Sequence, residues 1–448
     1  MIDKNERMFS NKYLLILIVP LLIEVFLSVA VGMADTMMVA QDSEASVAGV
    51  SSINTIQNLF VFLFQAFATG GAIIASQYIG KGDKERACFS SKQLMNISFI
   101  ASIAISIAML VFRAWIINLV YGDLEDDVYE CALSYFVPIL LSMPFFAMQS
   151  SANAICRTMG KSMITMVVSL IVNIVNIAGN AIFLFSFNMG AMGVGLASLI
   201  SRIIGATIMC IVICNKSHEI HIEEPFKIQF DFHLIGKILK IAIPSALENT
   251  IFNIGKILVS AMIVSLGTSA IAANAVLDNI GTFSNMPGSA ISMAMITVIG
   301  QCCGAKKFDQ ARHYGKKLMA IAYISMSSLS LVLIIALPYL TEIYNLPPAT
   351  TELAIKVLRL NLIQSAIFWP LSFTFPNFLR ATGDVKYTMI VAIASMWIFR
   401  VVFSRIFAIN LGMGLEGIYW GMYLDWYCRI VFFIIRYLSG KWEKKTIV

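Results

Sequence analysis

The chain has 448 residues, of which 58% are hydrophobic and 13% are charged, with a formal net charge of +6. A soluble chain of this length carries about 25% charged residues, so charge here is too sparse to cover a water-facing surface. The composition argues against a soluble enzyme, a disordered chain and a disulfide-framed secreted protein. Apolar runs of about 20 residues or more indicate a polytopic membrane protein instead.

The apolar runs predict an all-α protein with twelve transmembrane helices. The predicted spans, in chain order, are 13–39, 46–79, 91–112, 131–156, 162–187, 191–214, 241–266, 270–300, 317–344, 353–379, 387–409 and 415–437. Helices satisfy every backbone polar group inside hydrocarbon, and the runs are too long for strands of a membrane barrel. The spans 46–79 and 270–300 exceed what a bilayer requires, so we expect them to tilt or protrude.

The distribution of basic residues predicts the orientation. Alternate connectors collect 24 of the 32 Lys and Arg residues on one side, whereas the loops on the other side are short and often acidic. Because positive charge stays cytoplasmic, we expect a multi-pass protein of the cell (plasma) membrane with both termini in the cytoplasm. The net charge then reflects topology, and we expect lipid and no nucleic acid as a partner.

The two halves of the chain repeat each other at an offset of 222 to 224 residues. Pro20 aligns with Pro244 and Glu24 with Glu248, while CRTMGK (156–161) matches LRATGD (379–384). Since each copy holds six helices, an even number, both copies enter the membrane in the same direction. The repeat predicts two pseudo-symmetric six-helix lobes around a central cleft. Their predicted bounds are 1–214 and 241–448, joined by a cytoplasmic linker at 215–240.

The linker and the cysteines are the places where a metal site would be sought. His218 and His221 lie near three glutamates, Glu219, Glu223 and Glu224, but such a polar stretch is far more often a solvated linker. The eight cysteines include no CxxC pair. We therefore expect no cofactor.

Polar residues in the first lobe suggest a cation site. Asp35 lies late in the first span, three turns after Glu24 on nearly the same face. Asn173, Asn176 and Asn180 form a stripe on the fifth span, and Ser198 lies at a similar depth on the sixth. A carboxylate among amide and hydroxyl oxygens can hold a sodium ion or take up a proton. Alternatively, the amides only hold helices together.

The second lobe carries several charges at span depth, each of which requires a partner or water. Glu248 lies about two turns into the seventh span, and Lys256 and Asp278 match in depth closely enough to form an ion pair. By the same depth argument we expect structural pairs between Arg400 and Asp425, between Arg405 and Glu416, and between Asp425 and Arg429. Arg202, on the sixth span, is expected to pair within the first lobe.

Several strings together resemble the multidrug and toxic compound extrusion (MATE) transporters. They are Pro20 through ADTMMVA (34–40) to SQYIGKGDKERA (76–87), the second copy ending GQCCGAKKFDQA (300–311), and the RTMGK and RATGD strings. The resemblance implies that a coupling cation binds at Asp35, Asn176, Asn180 and Ser198, with Asn153 as a further polar residue and Glu248 as a second-lobe acid. If sodium is that ion, Asp35, Asn176 and Asn180 are its ligands.

The chain also departs from the family pattern. Position 180 is Asn where many prokaryotic members carry Asp, and the tenth span, LNLIQSAIFWPLSFTFPNFL, has no acid to partner Glu248. Lys256 adds positive charge in the predicted cleft. Lys256 and Asp278 therefore stand with Glu248 as second-lobe candidates.

The resemblance implies an antiporter that exports amphipathic, cationic compounds in exchange for protons or sodium ions. We further expect a monomer that works by alternating access, with Pro20 as a bend point in the first span. The alternative is a flippase for lipids or lipid-linked oligosaccharides, which shares the two-lobe plan. A membrane enzyme is disfavoured because no HExxH, GxSxG or nucleotide-binding loop occurs.

Overall fold

The computed structural model describes residues 7–122, 124–223 and 229–448. Those residues fold almost entirely into helices, and no β-strand occurs among them. The all-α prediction is confirmed.

The described residues of the first half of the chain form seven α-helices. They are α1 (Asn11–Val39), α2 (Glu44–Lys81), α3 (Lys84–Val111), the short α4 (Arg113–Tyr121), α5 (Asp126–Thr158), α6 (Ser162–Ala181) and α7 (Gly190–Cys214). A π-helical segment, Ile182–Ser186, continues α6. Caps that the sequence supplies locally define several ends: the Ser43 side chain accepts a hydrogen bond from the Ser46 amide at the start of α2, and Asp83 caps α3 in the same way.

The second half is also helical, but its short helix comes after the fourth long helix instead of the third. It contains α8 (Phe232–Ser265), α9 (Thr268–Gly304), α10 (Phe308–Glu342), α11 (Pro348–Trp369), the short α12 (Pro376–Ala381), α13 (Val385–Ser395) and α14 (Gly414–Leu438). π-helical segments, Pro370–Thr374, Met396–Phe403 and Ile406–Asn410, join α11 to α12 and extend α13.

Eleven helices of the described residues are long and apolar enough to cross a membrane. The predicted tenth span, 353–379, is helical but is not one α-helix, because Pro370 and Pro376 each remove a backbone donor and α11 gives way to the π-helical segment there. Elsewhere the helices extend beyond the predicted spans. For example, α10 begins at Phe308 and α8 at Phe232, since a helix continues into water after its apolar stretch ends.

The sequence repeat is also seen in where the helices begin. α2 begins at Glu44 and α9 at Thr268, which are 224 positions apart, and these two are the most buried spans, with 61% and 78% of their apolar windows inside the protein. Both are longer than a bilayer requires, as predicted, with 38 and 37 residues. Gly160 and Gly383, from the repeated RTMGK and RATGD strings, both have positive φ. The turn after α5 and its second copy therefore need a residue without Cβ.

Contacts divide the chain into two compact units. One comprises residues 11–243, and the other comprises residues 244–448 with the described residues before Asn11. In the first unit α5 packs against α2, α3 and α7, and α1 packs along α6. In the second unit α9 packs against α10, α11 and α12. The last residues of the predicted linker, from Phe232, belong to α8, and the predicted lobe bounds themselves stay a prediction.

Candidate functional site

Asp35 and Asn180 are in direct contact in the first unit. Asp35 lies four residues before the end of α1, and Asn180 lies at the matching end of α6, so the packing of α1 along α6 brings them together. Asn180 Nδ2 donates a hydrogen bond to Asp35 Oδ1 at 2.6 Å. Among the described residues, Asp35 Oδ2 accepts no hydrogen bond. One carboxylate oxygen is thus held in place while the other is free to bind a ligand.

Two further amide and hydroxyl groups lie one turn deeper. Asn176 precedes Asn180 by four positions on α6, and its Nδ2 donates to Ser198 Oγ on α7 at 3.3 Å. The Oδ1 atoms of Asn176 and Asn180 are both buried, and neither has a hydrogen-bond partner within the described part of the chain. A buried amide oxygen without a partner costs about 1–3 kcal/mol. These oxygens are therefore suited to a ligand that accepts electron pairs, such as a cation or a water molecule.

Arg202 does not close this site. It lies one turn after Ser198 on α7, but its Nη1 donates to Ser142 Oγ at 2.7 Å, and its guanidinium carbon lies 5.3 Å from the centre of the Phe146 ring. No ion pair within 4 Å joins it to Asp35 in the described ranges. Arg202 instead forms a polar contact and a cation–π contact with α5, so the expected pairing within the first lobe is made without a carboxylate.

The remaining first-lobe candidates lie elsewhere. Asn153 lies five residues before the end of α5, at the opposite end of the helices from Asp35, and the structure does not bring it to the other candidates. Glu24 forms an ion pair with Arg157 at 2.5 Å and accepts a hydrogen bond from Thr165 at 2.9 Å. Sequence reasoning missed Arg157 and Thr165 as partners. Glu248 and Arg380 repeat Glu24 and Arg157 in the second half of the sequence, and this repetition could have indicated that the two residues pair.

Pro20, the predicted bend point, lies inside α1 and is buried. Its second copy, Pro244, likewise lies inside α8. Each proline removes one helical hydrogen bond one turn before the acid, Glu24 or Glu248. A role for Pro20 as a hinge stays a prediction.

In the second unit Glu248 is engaged in an ion pair. Arg380 Nη2 donates to Glu248 Oε1 at 2.5 Å, and Arg380 Nη1 donates to Asn377 Oδ1 at 3.0 Å. The other carboxylate oxygen of Glu248 is buried and lacks a hydrogen-bond partner in the described ranges. Glu248 thus has a positive neighbour, and Arg380 is the second copy of Arg157, which pairs with Glu24 in the first unit.

The depth-matched pairs of the second unit have mixed outcomes. Asp425 pairs with Arg400 at 3.3 Å and with Arg429 at 2.7 Å, as predicted. The predicted pair of Arg405 and Glu416 is wrong, because Glu416 pairs with Lys356 at 2.5 Å and Arg405 is exposed.

Lys256 and Asp278 also form no ion pair within 4 Å in the part of the chain described. Asp278 Oδ2 accepts a hydrogen bond from Asn274 at 2.9 Å. Asp278 and Lys256 remain close enough to interact electrostatically. The two residues match in depth, but the rotation of their helices does not bring the two side chains into contact.

The polar connector after α7 pairs Glu219, Glu223 and His218 with lysines, while His221 lies 3.6 Å from Glu223. Glu219 forms an ion pair with Lys84 at 3.2 Å, Glu223 pairs with Lys216 at 3.2 Å, and His218 Nδ1 contacts the Lys161 ammonium group. Partial burial and the Lys161 charge lower the pKa of His218. Glu224 lies outside the described residues. Within them, no group of three or more His, Cys, Asp or Glu residues is arranged to hold a metal ion.

Comparison with known proteins identifies the family. The MatE family model matches this chain twice, over residues 20–182 and 244–406, and the two matches begin 224 positions apart. The chain belongs to the MATE family. This double match coincides with the internal repeat and covers well over half the sequence.

Two relatives of this MATE protein are named as a transporter and as a probable multidrug resistance protein. It is 32% identical to the "uncharacterized transporter YisQ" of Bacillus subtilis, over 99% of this chain and 96% of that protein. It is 24% identical to the "probable multidrug resistance protein NorM" of Thermotoga maritima, over 100% of this chain and 96% of that one. These likenesses point to a transporter and away from an enzyme, and they do not favour the flippase alternative.

The fold of this MATE protein also agrees with that of solved structures. An outward-facing multidrug resistance MATE family transporter of the MOP superfamily superposes with a TM-score of 0.90 at 18% identity, over 97% of each chain. At that identity the likeness shows the fold alone. The predicted all-α membrane architecture is confirmed.

Proposed function

We propose that this MATE-family protein is a secondary antiporter of the cell membrane, with both termini in the cytoplasm. It exports amphipathic compounds in exchange for protons or sodium ions. The membership of the family supports membrane transport, and multidrug export is the role named for several relatives. The observation that carries the coupling role is the Asp35–Asn180 contact at 2.6 Å, beside two buried amide oxygens without partners.

Asp35 is the coupling carboxylate in this proposal. Asn180 holds one of its oxygens and orients the other, while the oxygens of Asn176, Asn180 and Ser198 lie where they can replace part of the hydration shell of a small cation. A proton is the alternative coupling ion and would bind to Asp35 itself. Arg202 is close enough to interact electrostatically with Asp35, but it forms no ion pair with it in the described ranges, so Asp35 Oδ2 stays available to the ion.

Occupancy of Asp35 is coupled to transport through α1. Adding a cation removes the charge of a carboxylate inside the membrane, which changes the free energy of packing α1 along α6. Pro20 weakens the helical hydrogen bonding below the site, so α1 is able to bend there without breaking further backbone contacts. The bend displaces the exported compound as the protein alternates between two access states.

The test uses purified protein in liposomes that contain a cationic dye. A pH gradient and a sodium gradient are imposed in turn, and dye movement is followed by fluorescence. The wild-type protein should move dye under at least one gradient, and Asp35→Asn should abolish that movement with normal expression and folding.

Asp42→Asn is the matched control. It makes the same substitution at an exposed carboxylate just beyond α1, which accepts a hydrogen bond from Ser46 at 2.5 Å. It should transport dye at the wild-type rate. Full gradient-driven transport by Asp35→Asn would refute the coupling role of Asp35.

A further inference from the structure

A cluster of five charged residues, the mid-depth charge cluster, lies within the second unit. Its members come from α8, α9, α14 and the π-helical segment after α13, and they are Lys256, Asp278, Arg400, Asp425 and Arg429. The first four each lie nine to eleven residues from the same end of their helices, or roughly 15 Å at 1.5 Å per residue. That is about half of the 30 Å hydrocarbon thickness. Charges are costly at this depth.

Both carboxylates of the cluster are already engaged. Asp425 is fully buried and binds Arg400 at 3.3 Å and Arg429 at 2.7 Å. Asp278 accepts a hydrogen bond from Asn274, whose Oδ1 in turn accepts one from Tyr419 at 3.1 Å. The cluster therefore holds three cations against two carboxylates and has one excess positive charge.

The excess charge is accessible at Lys256. This side chain is exposed and has no ion-pair partner within 4 Å in the part of the chain described. An ammonium group at mid-depth faces water or a ligand, because exposure to lipid tails costs several kcal/mol. Lys256 therefore lines an aqueous space, where an anionic group can reach it.

Two neighbouring residues favour the binding of an amphipathic anion at Lys256. Arg400 is 7% exposed, donates no hydrogen bond in the described ranges, and interacts electrostatically with Lys256, so it raises the positive potential there. Phe252 lies one turn before Lys256 on α8, and its ring is 5.2 Å from the guanidinium carbons of both Arg400 and Arg429. Phe252 thus places an aromatic side chain one turn from Lys256 on the same face of α8.

We propose that Lys256 binds the carboxylate of the exported compound, with Phe252 contacting its aromatic part and Arg400 adding a favourable long-range field. This narrows the substrate class to amphipathic molecules that carry a carboxylate, alone or together with a cationic group. The word "exported" rests on the proposed function, whereas the binding of the carboxylate does not.

Binding of two matched dyes tests the proposal. Rhodamine B carries a carboxylate, and its ethyl ester has the same cationic ring system without that negative charge. Binding of each dye to the full-length protein in lipid nanodiscs is measured by fluorescence polarisation, without any ion gradient. The wild-type protein should prefer the acid by about five- to tenfold.

Substitutions of Lys256 test whether this residue causes the preference for the acid over the ester. Lys256→Gln should bind both dyes equally, Lys256→Arg should retain the preference for the acid, and Lys256→Glu should reverse it. Arg405→Gln is the matched control, because it removes an exposed positive charge of the same unit outside the cluster. It should retain the wild-type preference. Monodisperse elution of each variant confirms folding before binding is measured.

Several results would overturn the proposal. They are absence of rhodamine B binding to the wild-type protein, equal binding of the two dyes, or an unchanged preference in both Lys256→Gln and Lys256→Glu. The proposed export function fails separately, if no gradient drives dye movement. Asp35→Asn should lose coupled transport and still prefer the acid in nanodiscs.

Discussion

Arg157 donates a hydrogen bond to Glu24 at 2.5 Å and so links the end of α5 to the middle of α1, across 133 positions of sequence. The second half of the chain repeats this link between Arg380 and Glu248, also at 2.5 Å. In each copy the acid follows a proline by four residues, at Pro20 and Pro244. The ion pair therefore anchors the helix close to the point where a proline weakens its backbone hydrogen bonding.

Breaking the first of these pairs should destabilise the protein. Glu24→Gln leaves the Arg157 guanidinium largely buried without its counterion, which costs about 3 kcal/mol in typical buried pairs. The free energy of unfolding in mixed detergent micelles measures the loss. The double variant Glu24→Gln/Arg157→Gln should lose less than the sum of the two single variants. Strict additivity would show that the pair contributes no coupling energy.

The two copies of the link should differ in their response to a threonine substitution. The Thr165 hydroxyl lies 2.9 Å from both Glu24 Oε2 and the Ser162 carbonyl, whereas in the described residues its counterpart Thr388 has only the carbonyl of Val385 as a partner. Thr165→Val should therefore lower the free energy of unfolding by about 1.5–3 kcal/mol, the range for a hydrogen bond to a charged group. Thr388→Val, with the same change in shape, should cost less. Equal losses at both positions would contradict the prediction.

Asn180 should be essential for coupled transport beyond its role in packing. Asn180→Leu retains the side-chain size but removes both the donor to Asp35 and a buried amide oxygen, so gradient-driven dye efflux should fall by about tenfold or more. Asn173→Leu alters the same stripe of α6 two turns away and should retain efflux. Both rates are measured in liposomes at equal protein content. Comparable efflux by the two variants would show that Asn180 does not contribute to coupled transport.

The connector after α7 should lose stability in acid. Because the pKa of His218 is lowered by partial burial and by Lys161, the unfolded state binds its proton more readily than the folded state. Its contribution to stability is therefore complete above the unfolded value of about 6.5 and is lost as pH falls through the two pKa values.

Limited proteolysis between pH 8 and pH 5 measures this effect. Cleavage within residues 215–231 should increase at the lower pH in the wild-type protein, and His218→Gln should reduce the pH dependence. A steep increase that persists in His218→Gln would assign the effect to another group. His233→Gln is a control, since His233 lies outside the Lys161 contact.

The tertiary structure decided which charges meet. Counting residues along a helix gives the depth of a side chain in the membrane, but not the rotation of the helix about its axis. Arg400 and Asp425 matched in depth and do pair, whereas Lys256 and Asp278 matched in depth and do not. Glu416 bonds to Lys356, a partner that the depth comparison did not consider.

The sequence by itself determined the class of protein, the repeat and the polar stripe of α6. These features are recorded in one dimension: apolar length reports a membrane span, a constant offset reports duplication, and spacings of three and four place Asn173, Asn176 and Asn180 on one helical face. Only the packing of α1 along α6 brought Asn180 to Asp35, and only the folding of the first unit brought Arg157 of α5 to Glu24. Those contacts depend on the relative rotation of neighbouring helices, which is settled when the whole unit packs.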